Sequence, residues 1–131
     1  MNIEQESLKP IYVQIAEGIE DDILKGLLVE DEAAYSQYQI AKQFNVNPAT
    51  AAKGINLLVA EGILYKKRGL GMHVSVEAKK MIQEKRKEKF VSGFIRELIE
   101  EARKLDISKE ELIGMIEAFK GGDEDGSGHT M

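Results

Sequence analysis

Asn47-Pro-Ala-Thr-Ala-Ala-Lys-Gly-Ile-Asn-Leu-Leu-Val-Ala-Glu-Gly62 reads as one capped amphipathic helix, and its neighbours on either side decide the fold. Asn47 offers a side-chain oxygen to a free backbone N–H of the first turn. Pro48 suits the first helical position, where the missing N–H costs nothing. Ile55, Leu58 and Val59 fall on one stripe at helical spacing, with Ala51, Ala52 and Leu57 close by. Gly62 can take the left-handed conformation that closes the helix. The leading turn and a half carries Asn47, Ala49, Thr50 and Lys53, which are small or hydrogen-bonding residues plus one cation. A helix that is apolar behind and small and polar at its tip can enter a DNA major groove. Any small helical core contains a helix of this kind, so its surroundings must settle its use.

Upstream, Pro10 can open a first helix in which Ile11, Ile15, Ile19 and Ile23 recur every fourth residue, with Gly26 as the stop. Glu17, Glu20, Asp21 and Asp22 are expected on its solvated, negative outer face. Residues 27–35 form a short connection with a minimal strand near Ala33-Ala34-Tyr35. Ser36 caps a second helix through Ile40, Ala41 and Phe44, and Asn45-Val46 is a tight turn into the helix that follows. Two short helices so joined are a helix-turn-helix. Downstream, Ile63–Lys67 and Met72–Val76 alternate with period two around Arg68-Gly-Leu-Gly71, which reads as a basic, glycine-bearing hairpin. A hairpin directly after a helix-turn-helix is a wing, and the combination is far more specific than any one part.

From Glu77 the chain is charge-rich and helical. Val91, Phe94, Ile95, Leu98, Ile99 and Ala102 share a stripe, and Ser108-Lys-Glu-Glu111 fits a capping box opening a last helix with Leu112, Ile113, Met115, Ile116 and Phe119. Two amphipathic helices joined near Leu105–Ile107 make a helical hairpin too short to fold alone. The expected fold is therefore mainly α with a small β-hairpin. A winged helix-turn-helix domain spans residues 1–76, a helical dimerisation segment 77–120, and a disordered, glycine-rich acidic tail 121–131. The dimer seam falls on Val91, Phe94, Ile95, Leu98, Ile99, Leu112, Ile116 and Phe119.

Charge supports a localised anionic partner. The 131 residues carry a net charge of −5, yet from Ser36 to Val76 the cations Lys42, Lys53, Lys66, Lys67 and Arg68 stand against Glu61 alone, a balance of +4. From Met1 to Tyr35 two lysines stand against nine acids, a balance of −7. A basic middle in an acidic chain is a footprint for a phosphate backbone, with acidic surface facing away. Cysteine is absent, which removes disulfides and thiolate metal sites. No apolar run approaches a membrane span and the start lacks a signal-peptide pattern, so a cytoplasmic location is expected. His73 and His129 are too scattered for a metal cluster, and Glu100-Glu101 and Glu110-Glu111 lack a histidine or serine companion. No nucleotide fingerprint or catalytic constellation is present, so no cofactor and no enzymatic activity are expected.

The order of these parts resembles the GntR family of bacterial transcription regulators. The motifs are Pro10-Ile-Tyr-Val-Gln-Ile15, Ile40-Ala-Lys-Gln-Phe-Asn-Val46, Val46-Asn-Pro-Ala-Thr50, Leu58-Val-Ala-Glu-Gly62 and Arg68-Gly-Leu-Gly-Met-His-Val74. The match covers about residues 10–76, and the short two-helix carboxyl segment resembles the YtrA-type subfamily. That resemblance implies a homodimeric repressor in the bacterial cytoplasm, binding an inverted-repeat operator in double-stranded DNA and often encoded beside an ABC transporter that it represses. The family's Gly-Asp-x-Leu-Pro-Ser-x-Arg stretch reads Asp31-Glu-Ala-Ala-Tyr-Ser-Gln-Tyr38 here, so Tyr35 replaces its proline and Tyr38 its DNA-contacting arginine. A tyrosine keeps one hydrogen bond where arginine makes two.

On this reading Thr50 and Lys53 contact phosphate and base edges, Asn47 caps the recognition helix and can touch phosphate, and Ala49 stands with them on its exposed leading end. Ser36 and Tyr38 stand at the start of the second helix, Tyr38 either touching DNA or packing. Lys66, Lys67 and Arg68 follow the backbone or enter the minor groove from the wing, and Gly69 and Gly71 shape its turn. The alternatives are solvated lysines and an edge-strand charge cluster. At the level of function, one alternative is a winged-helix protein-interaction module that has lost DNA binding. Another is a repressor that senses a small-molecule effector in a pocket at the dimer interface.

Overall fold

Ile15, Ile19 and Ile23, four residues apart on helix α1 (Ile11–Leu24), point into one core and are almost wholly buried. Full burial of such a side chain stabilises the folded chain by about 1.5–3 kcal/mol. In the computed structural model, which describes residues 1–120, α1 is followed by α2 (Gln37–Phe44), α3 (Pro48–Ala60), strands β1 (Leu64–Lys67) and β2 (Gly71–Val74), and α4 (Ala78–Lys89). The expected tail at 121–131, with His129, lies outside the described residues. Over the described residues the chain is mainly α with one antiparallel hairpin, and none of the described helices is long and apolar enough to cross a membrane.

The caps follow the residues. Ser36 accepts from the Gln39 backbone N–H at 3.1 Å while the Gln39 side chain accepts from Ser36 N–H at 2.8 Å, a complete capping box on α2. Asn47 accepts from Ala49 N–H at 2.8 Å, with Pro48 at the first position of α3. Asn45, at φ 55°, turns the chain between the two helices. In the hairpin Leu64 pairs with Val74 and Lys67 with Gly71, and Leu70 N–H donates to Lys67 C=O across the tip. Gly69 and Gly71 both have positive φ there, as the tight turn requires.

The connection before α2 pairs with the wing. Asp31 N–H donates to Val74 C=O at 2.7 Å and Ala34 N–H to Met72 C=O at 2.8 Å, with an isolated bridge between Ala33 and His73. Asp31 takes φ 64°, so an aspartate fills the place where the family pattern has glycine. Short polar side chains tolerate that conformation better than others.

One expectation about α1 needs correction. Glu20 and Asp22 do not face solvent: they are only 2% and 5% exposed. Glu20 is held by Lys85, and its Oε1 accepts from Arg86 Nε at 3.1 Å and Nη2 at 2.9 Å. Asp22 Oδ2 accepts from the Tyr35 hydroxyl at 2.5 Å. Cations and a phenol from distant segments pair with these acids, as buried carboxylates require.

Two compact units divide the chain, Met1–Lys87 and Glu88 onward. The first takes in most of α4, because Ala78 and Ile82 are fully buried in the same cluster as Ile15, Leu58 and Val74. In the second, Phe90–Ile95 is a π-helical segment, followed by α5 (Arg96–Lys104) and α6 (Lys109–Ala118). The stripe spacing predicts a plain α-helix over the π segment. The wider turn occurs at Phe90-Val-Ser-Gly-Phe-Ile95, where Ser92 and Gly93 are poor α-formers. Asp106, at φ 57°, turns the chain after α5, and Ser108 and Glu111 form the expected capping box on α6.

Candidate nucleic-acid interface

Helix α3 buries Ala51, Gly54, Ile55 and Leu58 and turns Ala49, Lys53 and Asn56 outward. Thr50 and Ala52 are half-buried on the flanks of that outer stripe. The first turn is pinned by Asn47, whose side chain accepts from Ala49 N–H and whose carbonyl accepts from Thr50 and Ala51 N–H at 2.9 and 3.1 Å. Lys53 rests on Tyr12 of α1, its Nζ 4.1 Å from the ring centroid.

The start of α2, the middle of α3 and the wing converge on one groove of about 230 Å³, lined by Ser36, Tyr38, Asn56, Lys66, Gly71 and Met72 among others. Ser36, Tyr38, Lys66 and Gly71 are thereby brought together from two separate stretches of sequence. Tyr38 is 69% exposed, so its ring packs on little. Asn47, Ala49, Thr50 and Lys53 belong to the leading end of α3, outside that groove lining. Lys67, Arg68 and Gly69 are exposed on the wing and its tip.

Electrostatics separate the cations into two sets. Lys85 and Arg86 are engaged with Glu20, Asp21 and Glu61. Burial alone would lower the Lys85 ammonium, but its hydrogen bonds to Glu20 and Glu61 outweigh that and raise its pKa. Glu61, the one acid of the basic middle, is thus neutralised at 2.8 Å by a lysine from outside it. Among the described residues no ion pair engages Lys42, Lys53, Lys66, Lys67 or Arg68. Those five remain available to an external anion.

The support beneath the groove is polar and tight. Burial first, then the hydrogen bond to Asp22, pushes the Tyr35 phenol up to about 12, so Tyr35 is a firm donor that ties the link before α2 to α1. The Tyr65 hydroxyl donates to Asp31 Oδ1 at 3.0 Å and ties the same link to β1. His73 is buried in β2, 3.2 Å from the Gly71 carbonyl through Nδ1, and no cluster of metal-ligating side chains occurs among the described residues.

Two candidate contact residues were not singled out by the sequence. Asn56 extends the outer stripe one turn beyond Lys53, and an asparagine side chain can make two hydrogen bonds to adenine. The spacing 49, 53, 56 was the available signal. Leu70, 65% exposed between Gly69 and Gly71, carries an apolar side chain at the wing tip, of the kind that wedges into minor grooves.

The chain is similar to proteins of one kind, although no family model matches it. It is 39% identical over 75 residues to the HTH-type transcriptional repressor NagR of Bacillus subtilis, covering 57% of this chain and 31% of that protein, so it spans about a third of that relative's length. It is 30% identical over 112 residues to the HTH-type transcriptional repressor YtrA of Bacillus subtilis, covering 86% of this chain and 85% of that one. A crystal structure of a GntR-family transcriptional regulator from Bacteroides thetaiotaomicron superposes with a TM-score of 0.69 at 33% identity, over 81% of this chain and 92% of that chain. The DNA-binding domain of AraR in complex with operator ORX1 superposes with a TM-score of 0.51 at 30% identity, over 57% of this chain and 93% of that one. Winged-helix architecture, motif order and near full-length similarity agree: the chain belongs to the GntR family of transcriptional regulators, of the YtrA type, and is not an enzyme.

Proposed function

We propose that the protein is a sequence-specific repressor that binds an inverted-repeat operator in double-stranded DNA as a homodimer in the bacterial cytoplasm. The observation that carries this reading is the convergence of the start of α2, the middle of α3 and the wing on one groove, within a basic stretch whose five cations make no ion pair among the described residues. The outer stripe of α3 reads bases in the major groove. Ser36 and Tyr38 meet the backbone, and Lys66, Lys67 and Arg68 follow it from the wing. Similarity to NagR and YtrA, both repressors, supports the direction of regulation, and the AraR complex supports DNA as the partner. Exposed Val91, Phe94, Leu98, Ile116 and Phe119 support a second copy as the cover for the carboxyl-terminal unit. By likeness to YtrA-type regulators, an ABC transporter operon is the target to test first.

Salt titration of DNA binding tests this reading. Wild-type affinity should fall steeply with salt. Changing Lys66, Lys67 and Arg68 together to alanine should lower the slope of log K against log[salt] by about 2 to 3, at about 0.9 for each phosphate no longer neutralised. Binding that ignores salt, or a triple variant with unchanged slope, would favour a protein-interaction module instead.

A further inference from the structure

Tyr12 lies on α1, outside the helix pair and wing that the winged-helix reading assigns to DNA, yet its ring carries the ammonium of Lys53 at 4.1 Å. The contact is built into the packing. Gly54 follows Lys53, and a Cβ there would lie 2.7 Å from the Tyr12 carbonyl oxygen and 2.9 Å from Ile15 Cγ2. Only a glycine lets α1 come this close to α3, so Tyr12 is fixed by a core contact beside the leading turns of the recognition helix. Lys53 has no carboxylate partner among the described residues, which leaves the aromatic ring to hold its ammonium. A free lysine on a helix spreads over many rotamers and loses that freedom when it binds.

We propose that Tyr12 is a positioning residue for Lys53: its ring face holds the ammonium beside the exposed stripe of α3 before DNA arrives. The proposal rests on the DNA-binding reading above. It also separates the two properties of the tyrosine. The attraction of a cation to an aromatic face needs the ring and not the hydroxyl. Tyr12→Phe therefore keeps the function, and Tyr12→Leu removes it while filling similar space.

The test is a double-mutant cycle on a duplex enriched by the wild-type chain from a random DNA pool. Tyr12→Leu should weaken binding about threefold to tenfold, and Tyr12→Phe less than about twofold. In a Lys53→Met background Tyr12→Leu should change nothing further. In the free protein the Lys53 ε-methylene NMR signals should be shifted upfield by the ring, and should return to ordinary positions in Tyr12→Leu while the remaining spectrum stays dispersed. If Tyr12→Leu does not fold, Tyr12→Met replaces it. Equal weakening by Tyr12→Leu in both backgrounds would overturn the proposal, as would equal loss in Tyr12→Phe, which would mean the hydroxyl touches DNA itself. An unshifted Lys53 in the wild type would overturn it too. A wild-type chain that enriches no duplex would instead defeat the DNA-binding reading on which the proposal stands.

Discussion

Gly54 shows how one residue can set the geometry of a recognition helix. A glycine in a helix interior costs about 1 kcal/mol relative to alanine, so on propensity alone Gly54→Ala should stabilise α3. The contacts reverse that sign, because the added methyl would press on the Tyr12 carbonyl and the Ile15 side chain. Overpacking of this kind costs about 1–3 kcal/mol. Gly54→Ala should therefore lower stability in chemical denaturation, and a rise in the midpoint would refute the close approach. Tyr35 gives a second test at this scale. Its phenol is pushed up to about 12 by burial and by Asp22, against 10.0 for a free tyrosine. A raised folded value means that its contribution to stability is complete below about pH 10 and is lost as pH rises towards 12. Ultraviolet titration should show a late tyrosine ionisation that Tyr35→Phe removes; an alkaline end of the titration unchanged by Tyr35→Phe would contradict the hydrogen bond to Asp22.

Among the elements, α2, α3 and the hairpin were legible because their signals are local. Ser36 with Gln39, Asn47 with Pro48, and Gly69 with Gly71 act within three residues of one another, and each does in the structure what its residue type favours. What sequence could not supply were partners far along the chain. Glu20 meets Lys85 and Arg86 across about 65 residues, and so four acids on α1 read as a solvated face when two of them are buried. The π segment escaped for a related reason: apolar spacing of three and four residues fits an α-helix equally well. Helix α4 is part of the first unit through Ala78 and Ile82 as much as through that ion cluster. Ile82→Ala should destabilise the chain by about 2–5 kcal/mol. A loss below about 0.5 kcal/mol, the range of surface substitutions, would show that α4 is not part of that core.

For the whole molecule, the distribution of charge matters more than its sum. A net −5 chain keeps a DNA-facing surface because its acids are consumed by other cations or lie outside the basic middle, while Lys53, Lys66, Lys67 and Arg68 make no ion pair among the described residues. The carboxyl-terminal unit complements this with apolar side chains that a single copy leaves exposed, Phe94 and Phe119 above all. A unit of this length cannot bury enough surface alone. A second copy covering it would set the spacing of two recognition helices, and about 34 Å between major grooves is the spacing that an inverted repeat presents.

The most direct measurement is selection of bound duplexes from a random DNA pool with the purified 131-residue chain, followed by the mass of the complex with the winning sequence. The expected result is an enriched inverted repeat, bound by two chains per duplex far more tightly than bulk DNA. A pool that enriches no sequence, or a winning duplex bound by a single chain at a single half-site, would contradict a homodimeric operator-reading repressor.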